Sequence, residues 1–324
     1  MSGAIILRQH GGPDVLEWVD LDPGKPGQGE VLLRHTAIGL NFIDIYVRTG
    51  LYKMGTMPCS PGMEAAGVVE AVGPGVTGLS AGDRVAYVTG APGAYVERRV
   101  MNAAALVKLP GDISDDQAAA LMLKGMTAEM LLFRMTQAKA GDAVLIHAVA
   151  GGVGLLLAAW AKSLGCLVIG AASSDEKAAK ARAAGADHVI VTSREDVAAR
   201  VQELTGGRGC HCVYDGVGKD TFEASLAAVA EFGHIVSYGN ASGPVPPFAI
   251  AGLAPKCATL SRPSIFPFIK DRARLEAMSS NLFEAMRRGV IKAEIDQVFA
   301  LKEAAAAQTA LESRRTTGQT ILRP

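Results

Sequence analysis

Residues 143–161 read AVLIHAVAGGVGLLLAAWA, a run apolar and long enough to suggest a membrane span. Gly151, Gly152 and Gly154 in its middle argue instead for a buried strand, a tight turn and a buried helix. The turn, HAVAGGVG at 147–154, suits a pyrophosphate. That group needs backbone N–H donors close by and a helix N-terminus aimed at it, and side chains would block the approach. The pattern departs from G-x-G-x-x-G, because Val149 stands where the first glycine would be. A close strand–helix packing turn is the competing reading. The apolar strand before the turn and the amphipathic helix after it favour a dinucleotide, with Gly151, Gly152 and Val153 against it.

Downstream of the turn, apolar segments alternate with Ala-rich amphipathic ones. Strands are expected at 143–147, 167–171, 188–191, 212–215 and 235–238, with helices between them. Such βαβ units give a parallel sheet buried on both faces, hence a doubly wound α/β domain. Upstream, short strands at 4–7, 31–37, 67–72, 84–87 and 95–100 are separated by Gly and Pro, which reads as a turn-rich, partly closed β domain. After the Pro-rich stretch 244–247 come a strand near Ala258, a helix at 271–288, a strand near Val298, a helix at 301–313 and a last strand at 319–322. This mixed tail is free to rejoin the first domain.

A length of 324 residues favours two domains, and 49% apolar with 20% charged residues is ordinary globular composition. Lys plus Arg and Asp plus Glu each number 32, which points away from nucleic acid and towards a small-molecule partner. Cys59, Cys166, Cys210, Cys212 and Cys257 form no C-x-x-C pair and suggest no disulfide framework. The opening MSGAIILRQHGG lacks a charged region followed by a long apolar core, so no secretory signal is expected and the cytoplasm is the default location.

A carboxylate at the end of the second strand would hold a free ribose 2′-hydroxyl and repel a 2′-phosphate. Here strand 167–171 runs into Ala172, Ser173 and Ser174, with Lys177 behind. Two hydroxyls and an ammonium suit a phosphate dianion, so NADPH is the expected cofactor. The bland alternative makes Ser174 or Asp175 a helix cap and Lys177 a solvated residue. Asp175 and Glu176 stand against the NADPH reading unless they point outward.

A set of motifs spans the chain in order: NFIDIYVRTGLY (41–52), PGMEAAGVVEAVG (61–73), AGDRV (81–85), LKGMTA (123–128), the AGGVG turn, VYDGVG (213–218), SYGNASG (237–243), SRPS (261–264) and ESR (312–314). Together they resemble the bacterial NADPH:quinone oxidoreductases of the medium-chain dehydrogenase/reductase superfamily, with the ζ-crystallins as relatives. The resemblance implies a GroES-like partly closed β-barrel domain, 1–122 with 262–324, and a Rossmann NADPH-binding domain, 123–261, in a homodimer. Zinc alcohol dehydrogenases share this plan but carry Cys and His where this chain has Asn41 and Met63. Carboxamide and thioether are poor zinc ligands, and a catalytic zinc needs about three good ones, so no metal is expected. Glu64 is then a structural carboxylate.

The resemblance further implies that Asn41 and Tyr46 lie near the nicotinamide, with Tyr52 towards the substrate. Tyr46 and Tyr52 are the candidate catalytic residues. Asn41 is equally a helix N-cap, with Asp44 its capping-box partner, and each Tyr is equally a packing aromatic. Thr127, Val217, Tyr238, Gly239 and Asn240 match positions lining the cofactor site, and Arg314 matches a second 2′-phosphate ligand. Thr192 stands where close relatives carry a Tyr beside that phosphate, which weakens one contact. Asp44 and Arg48 read as a surface pair at helical spacing, Lys124 as a helix-surface residue and His147 as a core residue. The expected activity is NADPH-dependent reduction of a quinone or related α,β-unsaturated carbonyl in an interdomain cleft. The rival readings are a non-catalytic NADPH-binding protein, crystallin-like or RNA-binding, and a zinc alcohol dehydrogenase.

Overall fold

The computed structural model describes residues 1–313 and 316–324. Contacts divide the chain into two units, one of Met1–Met126, Phe266–Phe283 and Ala293–Pro324, the other of Thr127–Ile265 and Glu284–Lys292.

The first unit opens with β1 (Ser2–Leu7), antiparallel to β2 (Leu16–Leu21). Strand β3 (Glu30–Leu40) follows, and the N-terminal part of it buries Val31, Leu33, His35 and Ala37 in alternation, the period of a strand with one face on the core. Helix α1 (Phe42–Thr49) leaves its end; then come β4 (Glu64–Val72), β5 (Arg84–Val88), β6 (Arg98–Asn102), β7 (Leu106–Lys108) and α2 (Asp115–Glu129). The strand expected at 95–100 begins later, at Arg98. Tyr95 instead turns into the core, and Val96 makes a single bridge to Ala4. Strand β2 had no legible pattern because Glu17 and Asp20 interrupt its apolar residues, and its side chains stay largely in water.

The second unit alternates strand and helix: β8 (Ala143–Ile146), α3 (Gly152–Ser163), β9 (Leu167–Ala172), α4 (Asp175–Ala183), β10 (His188–Val191), α5 (Val197–Leu204), β11 (Cys210–Asp215), α6 (Phe222–Ala228), β12 (Val229–Ser237) and β13 (Thr259–Ser261). Among the described residues these strands form one parallel sheet in the order β10-β9-β8-β11-β12-β13. That is the doubly wound Rossmann order, with its switch point between β8 and β11. The apolar run at 143–161 is thus β8, a turn and α3. Leu155, Leu156 and Leu157 on α3 are at most 3% exposed, each contributing about 1.5–3 kcal/mol by burial. Among the described residues no helix is long and apolar enough to cross a membrane.

The tail supplies α7 (Phe266–Ile269), α8 (Arg272–Arg287), β14 (Ile295–Ala300), α9 (Ala304–Glu312) and β15 (Gln319–Arg323). Strand β15 pairs antiparallel with β3 and parallel with β14, so the C-terminus completes the sheet β14-β15-β3-β4-β5-β7 of the first unit, with β6 also on β3. Its core gathers Val31, Leu33, Ile38, Val69, Tyr87 and Leu322, joined by Ala304 and Ala307 of α9.

Candidate functional site

In the second unit the expected cofactor residues other than Thr127 lie just past the C-terminal ends of the parallel strands, where an open α/β sheet binds its ligand. Strand β8 runs into the turn His147 to Gly151, and Gly151 is the N-cap of α3 without a side chain over the helix end. The departure from G-x-G-x-x-G has a packing reason. Val149 is fully buried, and a Cβ on Gly170 of β9 would lie 2.6 Å from its Cγ1. The valine side chain fills space that glycine on the neighbouring strand leaves open. Gly154 answers a tighter constraint: a Cβ there would lie 2.5 Å from Ala148 O and 2.6 Å from Val149 O. Ala148, with φ of +49°, takes the left-handed conformation of the turn.

At the end of β9, Ser173, Ser174 and Lys177 come together. Ser174 caps α4, its Oγ accepting from the Lys177 N–H at 3.3 Å, while Lys177 Nζ donates to Ser173 Oγ at 3.4 Å. Capping and phosphate binding are compatible, since the cap uses the Lys177 backbone N–H and leaves the ammonium beside the Ser173 hydroxyl. Asp175 is exposed and held by Arg194, whose Nη1 and Nη2 donate to its two oxygens at 2.8 and 2.6 Å. The Arg194 guanidinium lowers the Asp175 carboxyl from its ordinary value. Of the two acids that argued against a 2′-phosphate, Asp175 therefore carries its own counter-charge, and Glu176 is exposed in the first turn of α4. Thr192, just past β10, donates from N–H and Oγ1 to Ala172 O at 2.9 and 3.3 Å, so it sits at the same strand end. Arg314 lies outside the described residues.

The loops after β11 and β12 complete this edge. Asp215 is buried and accepts from the N–H groups of Val217 and Gly218 at 2.9 and 3.0 Å and from Thr221 and Ser225. The carbonyl of Val217 accepts from Ser242, which leaves its side chain as what Val217 offers a ligand. Gly239 packs on the β11 loop, where a Cβ would lie 2.3 Å from Gly216 O. Tyr238 N–H donates to Asp215 O at 2.8 Å, and Tyr238, Gly239 and Asn240 are half-buried. Thr127, near the end of α2, is half-buried as well. His147 is a core residue, with Nε2 3.0 Å from Ser225 Oγ and its pKa lowered by burial. The glycine-lined helix N-terminus and the Ser173–Lys177 contact fit an NADP-type dinucleotide.

In the first unit the residues expected on the acceptor side, Tyr46 and Tyr52, lie on and just after α1. Tyr46 and Tyr52 meet with ring centroids 5.1 Å apart, and the Tyr52 N–H donates to Tyr46 O at 3.0 Å. Asn41 is the N-cap of α1, and its N–H donates to Asp44 Oδ2 at 2.9 Å, one half of the expected capping box. Its side-chain Nδ2 goes instead to Glu64 Oε1 at 2.7 Å. Met63 is buried beside them, and among the described residues no group of three or more His, Cys, Asp or Glu is placed to hold a metal.

Two surface expectations in this unit are corrected. Asp44 and Arg48 are 0% and 1% exposed and do not pair with each other. Asp44 accepts from Tyr95 Oη at 2.9 Å, and burial raises its carboxyl to about 7, while Arg48 Nη2 reaches both oxygens of Glu312 on α9 at 2.8 and 3.0 Å. Lys124 is also buried, with Nζ 3.0 Å from Leu40 O and 3.4 Å from Glu64 Oε1. Helical spacing shows which residues share a face but not which face is covered, so these inward charges were not readable. The Arg194–Asp175 pair was missed for a similar reason, since 19 residues separate its members.

Residues 27–111 match the alcohol dehydrogenase GroES-like domain and residues 152–280 the zinc-binding dehydrogenase family. With the sheet order and the glycine turn, these matches define a medium-chain dehydrogenase/reductase. A quinone oxidoreductase of Pseudomonas aeruginosa is 50% identical over 325 residues, covering 100% of both chains. A 2-haloacrylate reductase of a Burkholderia species is 42% identical, covering 100% of this chain and 99% of its own. The crystal structure of Escherichia coli quinone oxidoreductase complexed with NADPH superposes with a TM-score of 0.97 at 42% identity, covering 99% of this chain and 100% of that one. Within the superfamily, the chain belongs to the quinone oxidoreductase family.

Proposed function

We propose that the protein is an NADPH-dependent reductase of quinones and related α,β-unsaturated carbonyl compounds, active in the cytoplasm as a homodimer. The observation that carries the cofactor choice is the end of β9, where Ser173, Ser174 and Lys177 converge and Asp175 is neutralised by Arg194. Support for the acceptor comes from full-length relatives that reduce a quinone and a haloacrylate, both electron-poor conjugated carbonyl compounds. The dimer rests on the family resemblance.

NADPH when bound supplies the hydride; the protein supplies position and a water-poor setting. Gly151, Gly152 and Val153 take the pyrophosphate at the α3 N-terminus. Ser173, Ser174, Lys177 and Arg314 take the 2′-phosphate, with Thr192 at its edge. Thr127, Val217, Tyr238, Gly239 and Asn240 line the remainder, and Asn41 meets the nicotinamide. Tyr46 and Tyr52 face the acceptor, where a phenol donates a hydrogen bond to the oxygen that gains charge.

Steady-state oxidation of NADPH and of NADH with a panel of small quinones and enones tests this. Turnover with NADPH preferred is expected; binding of NADPH without turnover of any acceptor would leave a non-catalytic binding protein. Size-exclusion chromatography with light scattering should give twice the chain mass.

A further inference from the structure

Glu64 and Lys124 lie 60 residues apart in sequence and meet in the interior of the first unit. Glu64 is 0% exposed; Oε1 accepts from Asn41 Nδ2 at 2.7 Å, and Oε2 accepts from the Leu123 N–H. Lys124 sets its Nζ 3.4 Å from the same Oε1 and donates to Leu40 O, the residue before Asn41. Across the β3–β4 ladder the residue opposite Glu64 is Gly39, where a Cβ would lie 2.3 Å from Glu64 Oε1 and 2.2 Å from Ala119 O. The carboxylate occupies space that only glycine leaves.

A buried ion pair adds little stability over apolar residues of the same volume, so its effect is sought in geometry. An ionised carboxylate only accepts hydrogen bonds, and Asn41 must therefore present Nδ2, not Oδ1, towards Glu64. One Nδ2 hydrogen is committed and the amide plane is fixed. Lys124 Nζ, on the same Oε1 and on Leu40 O, ties the carboxylate to the backbone next to Asn41 and so holds the acceptor that the amide meets.

We propose that Glu64 and Lys124 are positioning residues for the reduction, fixing the Asn41 amide so that its second Nδ2 hydrogen stays directed at the reacting groups. This rests on the reading above that places Asn41 at the nicotinamide.

The test compares Asn41→Ala, Lys124→Met and the double variant. The readouts are kcat and KM with 1,4-benzoquinone, the dissociation constant of NADPH, and the emission maximum of bound NADPH, which senses hydrogen bonding at the nicotinamide. Lys124→Met should lower kcat about tenfold, the loss of one hydrogen bond to a polarised group, with KM and NADPH affinity within about twofold. The double variant should be no slower than Asn41→Ala, and all three should share one shifted emission maximum. Losses that multiply in the double variant, or a Lys124→Met enzyme with parental kcat and emission beside an impaired Asn41→Ala, would overturn the proposal. Parental kcat and emission in Asn41→Ala would instead overturn the placement of Asn41, and the proposal with it. Should Lys124→Met not fold, Lys124→Met with Glu64→Gln leaves no unpaired buried charge and carries the same comparison.

Discussion

Lys177 and Tyr52 are the residues whose roles a single atom decides. The Lys177 ammonium lies beside Ser173, and nothing in the Ser174 cap depends on it, since the cap uses the Lys177 backbone N–H. Lys177→Ala should therefore leave helix and fold intact while removing one charged contact to the 2′-phosphate. Such a contact contributes roughly 1.5–3 kcal/mol, less where solvent and salt screen it, so NADPH binding should weaken about tenfold at physiological ionic strength. NADH binding should barely change; paired dissociation constants for both cofactors, before and after substitution, check this, and equal losses would contradict it. Tyr52→Phe keeps the ring packed on Tyr46 and removes only the hydroxyl. Quinone turnover should fall with NADPH affinity unchanged, the signature of a contact made to the acceptor alone. Unaltered turnover would make Tyr52 a packing residue.

Helix α1 carries Tyr46, one of the two proposed acceptor-side residues, and its first turn contains a buried acid. Asp44 accepts from the Asn41 N–H and from Tyr95, yet burial outweighs these bonds and raises its carboxyl to about 7. In the unfolded chain the same group releases its proton near its ordinary value. Between roughly pH 4 and 7 the folded state therefore binds more protons than the unfolded one, and stability falls as pH rises through that window, by at most about 1.4 kcal/mol per pH unit. Asp44→Asn keeps an oxygen for both donors and cannot titrate. Urea midpoints measured from pH 4 to 8 should show a shallower fall for the variant than for the parent, and parallel curves would rule out Asp44 as the source. The elements themselves were largely legible, because β8 and β9 are short apolar runs, as strands buried on both faces are, and the helices between them carry their own punctuation: Gly151 before α3 and Ser174 before α4. Strand β2 was not, because a largely exposed edge strand needs no apolar alternation.

For the molecule as a whole, the expectation that no metal is needed is the one most open to measurement. The positions where zinc alcohol dehydrogenases place Cys and His hold Asn41 and a buried Met63, and Glu64 spends its oxygens on Asn41, Leu123 and Lys124. Purified protein should contain well under one zinc per chain by elemental analysis and keep its turnover after dialysis against a strong chelator; stoichiometric zinc with activity lost on chelation would contradict this. The sequence by itself determined the alternation of strands and helices, the glycine turn at 151–154, the absence of an acid at the last residue of β9 and the replaced metal ligands. The first three are local, set by residues within a few positions of one another, where periodicity, glycine and side-chain chemistry act directly; the fourth is read by setting Asn41 and Met63 beside the pattern of a related family. Tertiary structure alone decided that β15 returns to β3, that Val149 fits over Gly170, that Arg194 neutralises Asp175, and that Asp44, Arg48, Glu64 and Lys124 turn inward. These depend on pairings across 19 to 287 residues, as between Arg194 and Asp175 or Arg323 and Thr36. Which face of an amphipathic helix is covered, and which charge finds a partner, follows from what packs against it and not from its own spacing.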